Sequence, residues 1–129
     1  MILCDTNIFI EIYRGNTQIA SVVEQIKQSD DIVISDVVRA ELFYGAKNKL
    51  ELQFIHKDLN VFQTLPILPE ISTKAVKLVE DYCLSHKIDF HDALIASTAL
   101  FYDIKLYTIN TKDFIFIPEL KLDFWRICV

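Results

Sequence analysis

Apolar residues come in short groups along this chain, and the period on which they recur switches repeatedly between strand-like and helix-like. Ile2, Leu3 and Cys4 form an unbroken apolar run that stops abruptly at Asp5, the pattern of a short buried strand. The segment NIFIEIYR that follows has helical spacing, and Gly15 supplies its stop. Asn16 or Thr17 can cap a second helix in which Ala20, Val23 and Ile26 recur at turns. Residues 31–34 (DIVI) predict a β-branched strand. Ser35 closes it, with a hydroxyl suited to the N-cap of a helix DVVRAELFYGA that Gly45 ends or bends. KNKLELQFIHKDL predicts a more solvated helix with Leu52, Ile55 and Leu59 on one face. Residues 65–68 (LPIL) predict a third strand, which Pro66 would confine to an edge or to its own first position. Ile71, Ala75, Leu78, Val79 and Tyr82 trace a long helix, and HDALIASTALFY a further one with Leu94, Ile95 and Thr98 inside. Residues 105–108 (KLYT) predict a fourth strand, and a last one falls within LKLDFWRI.

Strands and helices therefore alternate from one end to the other, which builds a parallel sheet with helices on both faces, an α/β fold. With 129 residues, no internal repeat and no Pro/Gly/Ser-rich linker, the chain reads as one domain, 1–129.

Composition narrows the function. At 52% hydrophobic and 24% charged residues the chain is globular, since disorder needs low hydrophobicity. No apolar run approaches the ~20 residues that cross a bilayer, and the four residues before Asp5 are too few for a signal peptide. A soluble protein is expected. Cys4, Cys83 and Cys128 are odd in number and far apart, so they suit buried thiols in a reducing cytoplasm rather than a disulfide framework or a zinc site. Glycine occurs only at Gly15 and Gly45, which excludes glycine-rich phosphate loops. The net charge of −5 argues against binding nucleic acid through a broad basic surface. A nucleic-acid substrate would need something to offset that charge.

The acidic residues supply a candidate. Ligands of open α/β sheets bind beyond the carboxyl ends of the strands, so Asp5, directly after the first strand, should emerge at that edge. The fourth strand runs into INTKDF, which brings Asn110 and Asp113 to the same rim. Asp92 lies in the first turn of its helix, where the dipole favours a carboxylate whatever its function. Glu41 lies beside Val38 and Leu42 on an inward helix face, where an acid needs a partner. If helices lead away from the sheet's carboxyl edge, Asp5, Glu41, Asp92 and Asp113 converge on one pocket. Such a cluster repels itself unless protonated or bound to cations. Oxygen ligands without Cys or His suit Mg²⁺ or Mn²⁺, and the implied chemistry is phosphoryl transfer. Asn7, Thr108 and Asn110 are placed to orient ligands or water.

With these positions in hand, LCDTNIFIE, ISDVVRAELFYGA, DFHDALIASTAL and YTINTKDF together resemble the PIN-domain family, specifically the VapC-type toxins of bacterial and archaeal toxin–antitoxin pairs. The four stretches keep the family's order and spacing and leave only residues 47–87 without a diagnostic motif. The resemblance implies a three-layer α/β/α sandwich around a mostly parallel sheet and a Mg²⁺- or Mn²⁺-dependent endoribonuclease inhibited by a cognate small antitoxin. It also implies a homodimer. Carried over residue by residue, it makes Asp5, Glu41 and Asp92 metal-binding acids and Asp113 a fourth. The fourth acid of such proteins stands at the position of either Asn110 or Asp113, and here the first is Asn.

Two other classes compete: a catalytically inactive α/β interaction module, and a phosphoaspartyl receiver. The receiver needs further acids beside the first strand, where DTN offers Asn7 instead. His56, His86 and His91 read as surface or helix residues, with His91 beside Asp92 the one worth testing. Arg14 and Arg39, on the segments that carry Asp5 and Glu41, are the candidate phosphate contacts.

Overall fold

The computed structural model describes residues 1–123. Five short strands and six helices alternate along them: β1 Ile2–Cys4, α1 Thr6–Tyr13, α2 Thr17–Ser29, β2 Ile32–Ser35, α3 Asp36–Tyr44, α4 Lys49–Leu59, β3 Gln63–Leu65, α5 Pro69–His86, α6 Phe90–Tyr102, β4 Lys105–Tyr107 and β5 Leu122–Asp123. A 3₁₀ turn, Thr111–Asp113, follows β4. The sheet order is β3-β2-β1-β4-β5, and every neighbouring pair is parallel. This is the expected helix-flanked parallel sheet. β1 and β2 are buried along their whole length, which is why their sequences run apolar without alternation.

Caps fix where the helices start. Asn16 accepts from the Ile19 amide at 3.1 Å, Ser35 from Val38 at 3.2 Å and Asn48 from Glu51 at 2.8 Å, each satisfying an amide that the first helical turn leaves without a partner. Gly45 caps the end of α3.

Two expectations are corrected. The third strand is Gln63–Leu65, not residues 65–68, although it does lie at the sheet edge. Pro66 follows the strand, where its missing N–H costs no ladder bond, and Leu68 and Pro69 open α5 instead. On α4, Ile55 and Leu59 are buried but Leu52 is 40% exposed, because this helix buries only the narrow stripe its contact with the core requires. The last strand lies within the segment expected for it. The rest of that segment, including the aromatics at 124 and 125 and Cys128, falls outside the described residues.

The order of the strands places the site. The chain leaves β1 for β2 and β3 on one side, then returns to β4 on the other, so the direction of winding reverses between β1 and β4. At such a reversal the loops after the two strands diverge and leave a crevice at their carboxyl ends. The Asp5 amide donates to the Tyr107 carbonyl at 2.9 Å, closing the floor of that crevice.

Candidate active site

Asp5 is buried and is also the N-cap of α1. Its Oδ1 accepts from the Thr6 amide and its Oδ2 from the Thr108 hydroxyl, each at 2.8 Å. The Thr108 oxygen in turn accepts from Asn7 Nδ2 at 3.3 Å and from the Asn110 amide at 3.1 Å. The loop after β4 is thereby tied to the loop after β1. Thr6 has a second task, because its hydroxyl donates to Glu41 Oε1 at 2.7 Å and draws the α3 carboxylate toward the end of β1.

Asp92 sits half-buried in the first turn of α6, whose N-cap is Asp89, accepting from the Asp92 amide at 2.9 Å. Asp113 ends the 3₁₀ turn, half-buried, and its amide donates to the Asn110 carbonyl at 3.0 Å. The Asn110 side chain stays exposed at the start of that turn.

Charge shows which of these groups face one another. Burial pushes the Asp5 carboxyl up to about 6, against the opposing pull of its bonds to Thr108 and Thr6, with Glu41 and Asp113 adding to the rise. Burial likewise lifts Asp92 to about 7, and the negative charges of Asp89, Asp5, Asp113 and Glu41 raise it further. Asp5, Glu41, Asp92 and Asp113 thus share one electrostatic neighbourhood. Among the described residues none of the four is ion-paired to a Lys, Arg or His. Nor, among the described residues, do any three His, Cys, Asp or Glu side chains come together closely enough to hold a metal ion between them. One further polar atom in the site, Asn7 Oδ1, is buried without a hydrogen-bond partner.

Of the candidate cations, Arg14 lines a cavity of about 530 Å³ together with Glu41 and pairs with Glu11 at 3.4 Å. Arg39 lies over the Phe43 ring at 5.4 Å and does not line that cavity. His91 is exposed beside Asp92. Thr6 and Asp89 escaped sequence reasoning. A signal existed for Asp89, which stands three residues before Asp92 at the spacing of a capping acid. Thr6 had none, since its partner is 35 residues away.

Comparison with known proteins identifies the family. The family model of the PIN domain matches residues 2–117. The chain belongs to the PIN domain family. One relative of this PIN domain, Ribonuclease VapC of Rickettsia bellii (strain RML369-C), is 33% identical over 129 residues, covering 94% of this chain and 93% of its own length. Among solved structures, a toxin–antitoxin complex from Klebsiella pneumoniae superposes with a TM-score of 0.78 at 30% identity, covering 93% of this chain and 95% of its own. VapBC2 from Rickettsia felis, bound to a DNA fragment from its promoter, gives a TM-score of 0.77 at 27% identity, covering 98% and 100%.

Proposed function

We propose that this PIN domain is a divalent-metal-dependent endoribonuclease, the toxin of a toxin–antitoxin pair, hydrolysing RNA phosphodiesters in the crevice between β1 and β4. The observation that carries the chemistry is the cluster of Asp5, Glu41, Asp92 and Asp113, brought from four separate elements, with the carboxyls of Asp5 and Asp92 raised and, among the described residues, no ion pair to any of the four. A cluster of uncompensated buried acids is costly unless a cation belongs there.

The donor set fits. It offers only oxygen, which suits Mg²⁺ or Mn²⁺, and such ions bind through one or two carboxylates while keeping several waters, so no closed cage is required. When bound, the ion supplies the charge that offsets the acids, polarises a water for attack and neutralises charge developing on the leaving oxygen. The chain's own residues do the positioning. Thr108 and Thr6 fix both oxygens of Asp5, and the Thr6 hydroxyl aims Glu41. Asp92, with its carboxyl near 7, can hold or release a proton at neutral pH. Asp113 completes the acidic wall, while Asn7 and Asn110 steady Thr108.

The antitoxin takes the cavity between α1 and α4, where Ile10, Tyr13, Leu42, Phe54 and Ile55 offer apolar area and Arg14, Lys47 and Glu41 offer charge. A cationic antitoxin side chain reaching Glu41 would stand in for the metal. A homodimer accompanies this assembly. No described helix is long and apolar enough to cross a membrane.

The deciding experiment is digestion of total RNA by the purified protein with Mg²⁺ or Mn²⁺ and again in excess chelator. Cleavage should require the metal and stop on adding the antitoxin. Undiminished cleavage in chelator would overturn the metal-dependent mechanism.

A further inference from the structure

Glu41 stands between two cavities. The second, about 860 Å³, lies where α3 and the start of α6 meet the connection between β3 and α5, and is lined by Asp36, Glu41, Tyr44, Ile67, Phe90 and His91 among others. Its rings are unusually bare. Tyr44 is 93% and Phe90 47% exposed, and Ile67 beside them is 40% exposed. Elsewhere on the surface aromatic groups pair off, as Tyr82, His86 and Phe116 do. Among the described residues Tyr44, Phe90 and His91 make no ring contact of this kind.

We infer that this cavity is the subsite for one nucleobase of the RNA, next to the phosphodiester that is cut. The inference rests on the ribonuclease reading and specifies how that site selects its substrate. Three features point to a base rather than to another occupant. The cavity adjoins the acidic site, since Glu41 borders both and His91 precedes Asp92. Its volume is within the ~300–1,000 Å³ typical of small-ligand sites. Its charge is also selective: Asp36 and Glu41 at the walls repel a phosphate, so the part of a nucleotide that enters is the uncharged, flat one. Unpaired bases are held in single-stranded RNA by stacking on aromatic side chains. Asp36 can in addition accept a hydrogen bond from an exocyclic amine, as on cytosine, adenine or guanine, which uracil lacks.

The test uses the double variant Tyr44→Leu/Phe90→Leu, which keeps apolar bulk but removes the ring faces. Wild type and variant are assayed on an RNA oligonucleotide containing one cut site, with each nucleotide flanking the cut replaced in turn by an abasic one. At one flanking position the abasic change should lower wild-type kcat/KM by about tenfold or more, chiefly through KM, and have little further effect in the variant. At the same position uracil should be cut more slowly than cytosine. If the double variant fails to fold, Tyr44→Leu alone, at a nearly fully exposed position, is read in its place. A variant that keeps both wild-type kcat/KM and the wild-type abasic penalty overturns the inference. So does Tyr44→Glu converting a dimer to a monomer while the abasic penalty stays intact, which would make the cavity an interface between copies. A wild-type protein that cuts no RNA at all overturns the ribonuclease reading, and this one with it.

Discussion

On the β1–β4 side of the acidic pocket, both carboxylate oxygens of Asp5 accept hydrogen bonds, at 2.8 Å each, and the loops that carry the donors are tied to one another through Thr108. On the α6 side, the Asp92 carboxylate accepts none from the described residues, and the helix is capped by a different acid, Asp89. Burial raises both groups, yet the more deeply buried Asp5 reaches only about 6 while half-buried Asp92 reaches about 7. Two hydrogen bonds favour the ionised form of Asp5, whereas among the described residues the Asp92 carboxylate has none and faces the additional charge of Asp89. One wall is therefore fixed in geometry and charged. The other is adjustable in charge.

The largest effect should follow from breaking the fixed wall. Asp5→Asn is expected to lower kcat by about two to three orders of magnitude, with circular dichroism unchanged because Asn serves equally well as an N-cap. A parallel loss of helix signal would instead assign Asp5 to the fold. Thr108→Val should cost about 10- to 100-fold, the usual price of losing a group that orients a ligand. It also removes a bond that holds the Asp5 carboxyl down, so the acid limb of the pH–rate profile should move up. An unmoved limb would mean that Thr108 only packs.

The adjustable wall answers to pH. Asp5 and Asp92 both have folded values above the ordinary carboxylate value of 3.8, so between about 4 and 7 the folded state binds more protons than the unfolded one. Stability in chelator should accordingly fall as pH rises through that window and level off above it. Asp92→Asn should flatten the upper part of this slope and, at neutral pH, raise Tm by about 3 °C, the shift that ~1 kcal/mol gives in a chain of this size. Loss of the helix-start charge opposes the gain by about 0.3–1 kcal/mol. A variant that melts lower than wild type in chelator, yet gains as much from Mg²⁺, would place Asp92 outside the metal site. The smallest effect belongs to Asp81, which pairs with Lys77 at 3.1 Å on the exposed face of α5. Asp81→Asn should change stability by less than ~0.5 kcal/mol and leave RNA cleavage untouched.

Much of this was legible because the signals were local. Ile2 to Cys4 against Asp5, Ser35 before DVVRAEL and the apolar run of α6 each declare themselves within one turn of chain, and strand–helix alternation then determines a parallel sheet. β3 slipped because a three-residue edge strand beside Pro66 buries only Leu65 and so leaves almost no period. Within the site the acids and the supporting Thr108 were visible, but Thr6 and the particular bonds that hold the acids were not. The Thr108–Asp5 bond joins residues 103 apart and the Thr6–Glu41 bond residues 35 apart, and no spacing rule reaches across a sheet.

The central position of β1 has a consequence for synthesis. Its pairing with β2 needs only the first 35 residues, but its other edge stays open until β4, residues 105–107, has been made. A nascent chain therefore contains Ile10, Tyr13, Leu42, Phe54 and Ile55, the residues of the surface proposed for the antitoxin, well before Asp92 and Asp113 exist and before Thr108 can clamp Asp5. At roughly 5–20 residues per second the interval lasts several seconds. The ribosome thus makes the residues that can be restrained ahead of the groups proposed to cut, and a chain broken off before residue 108 would lack both the Thr108 clamp and Asp113.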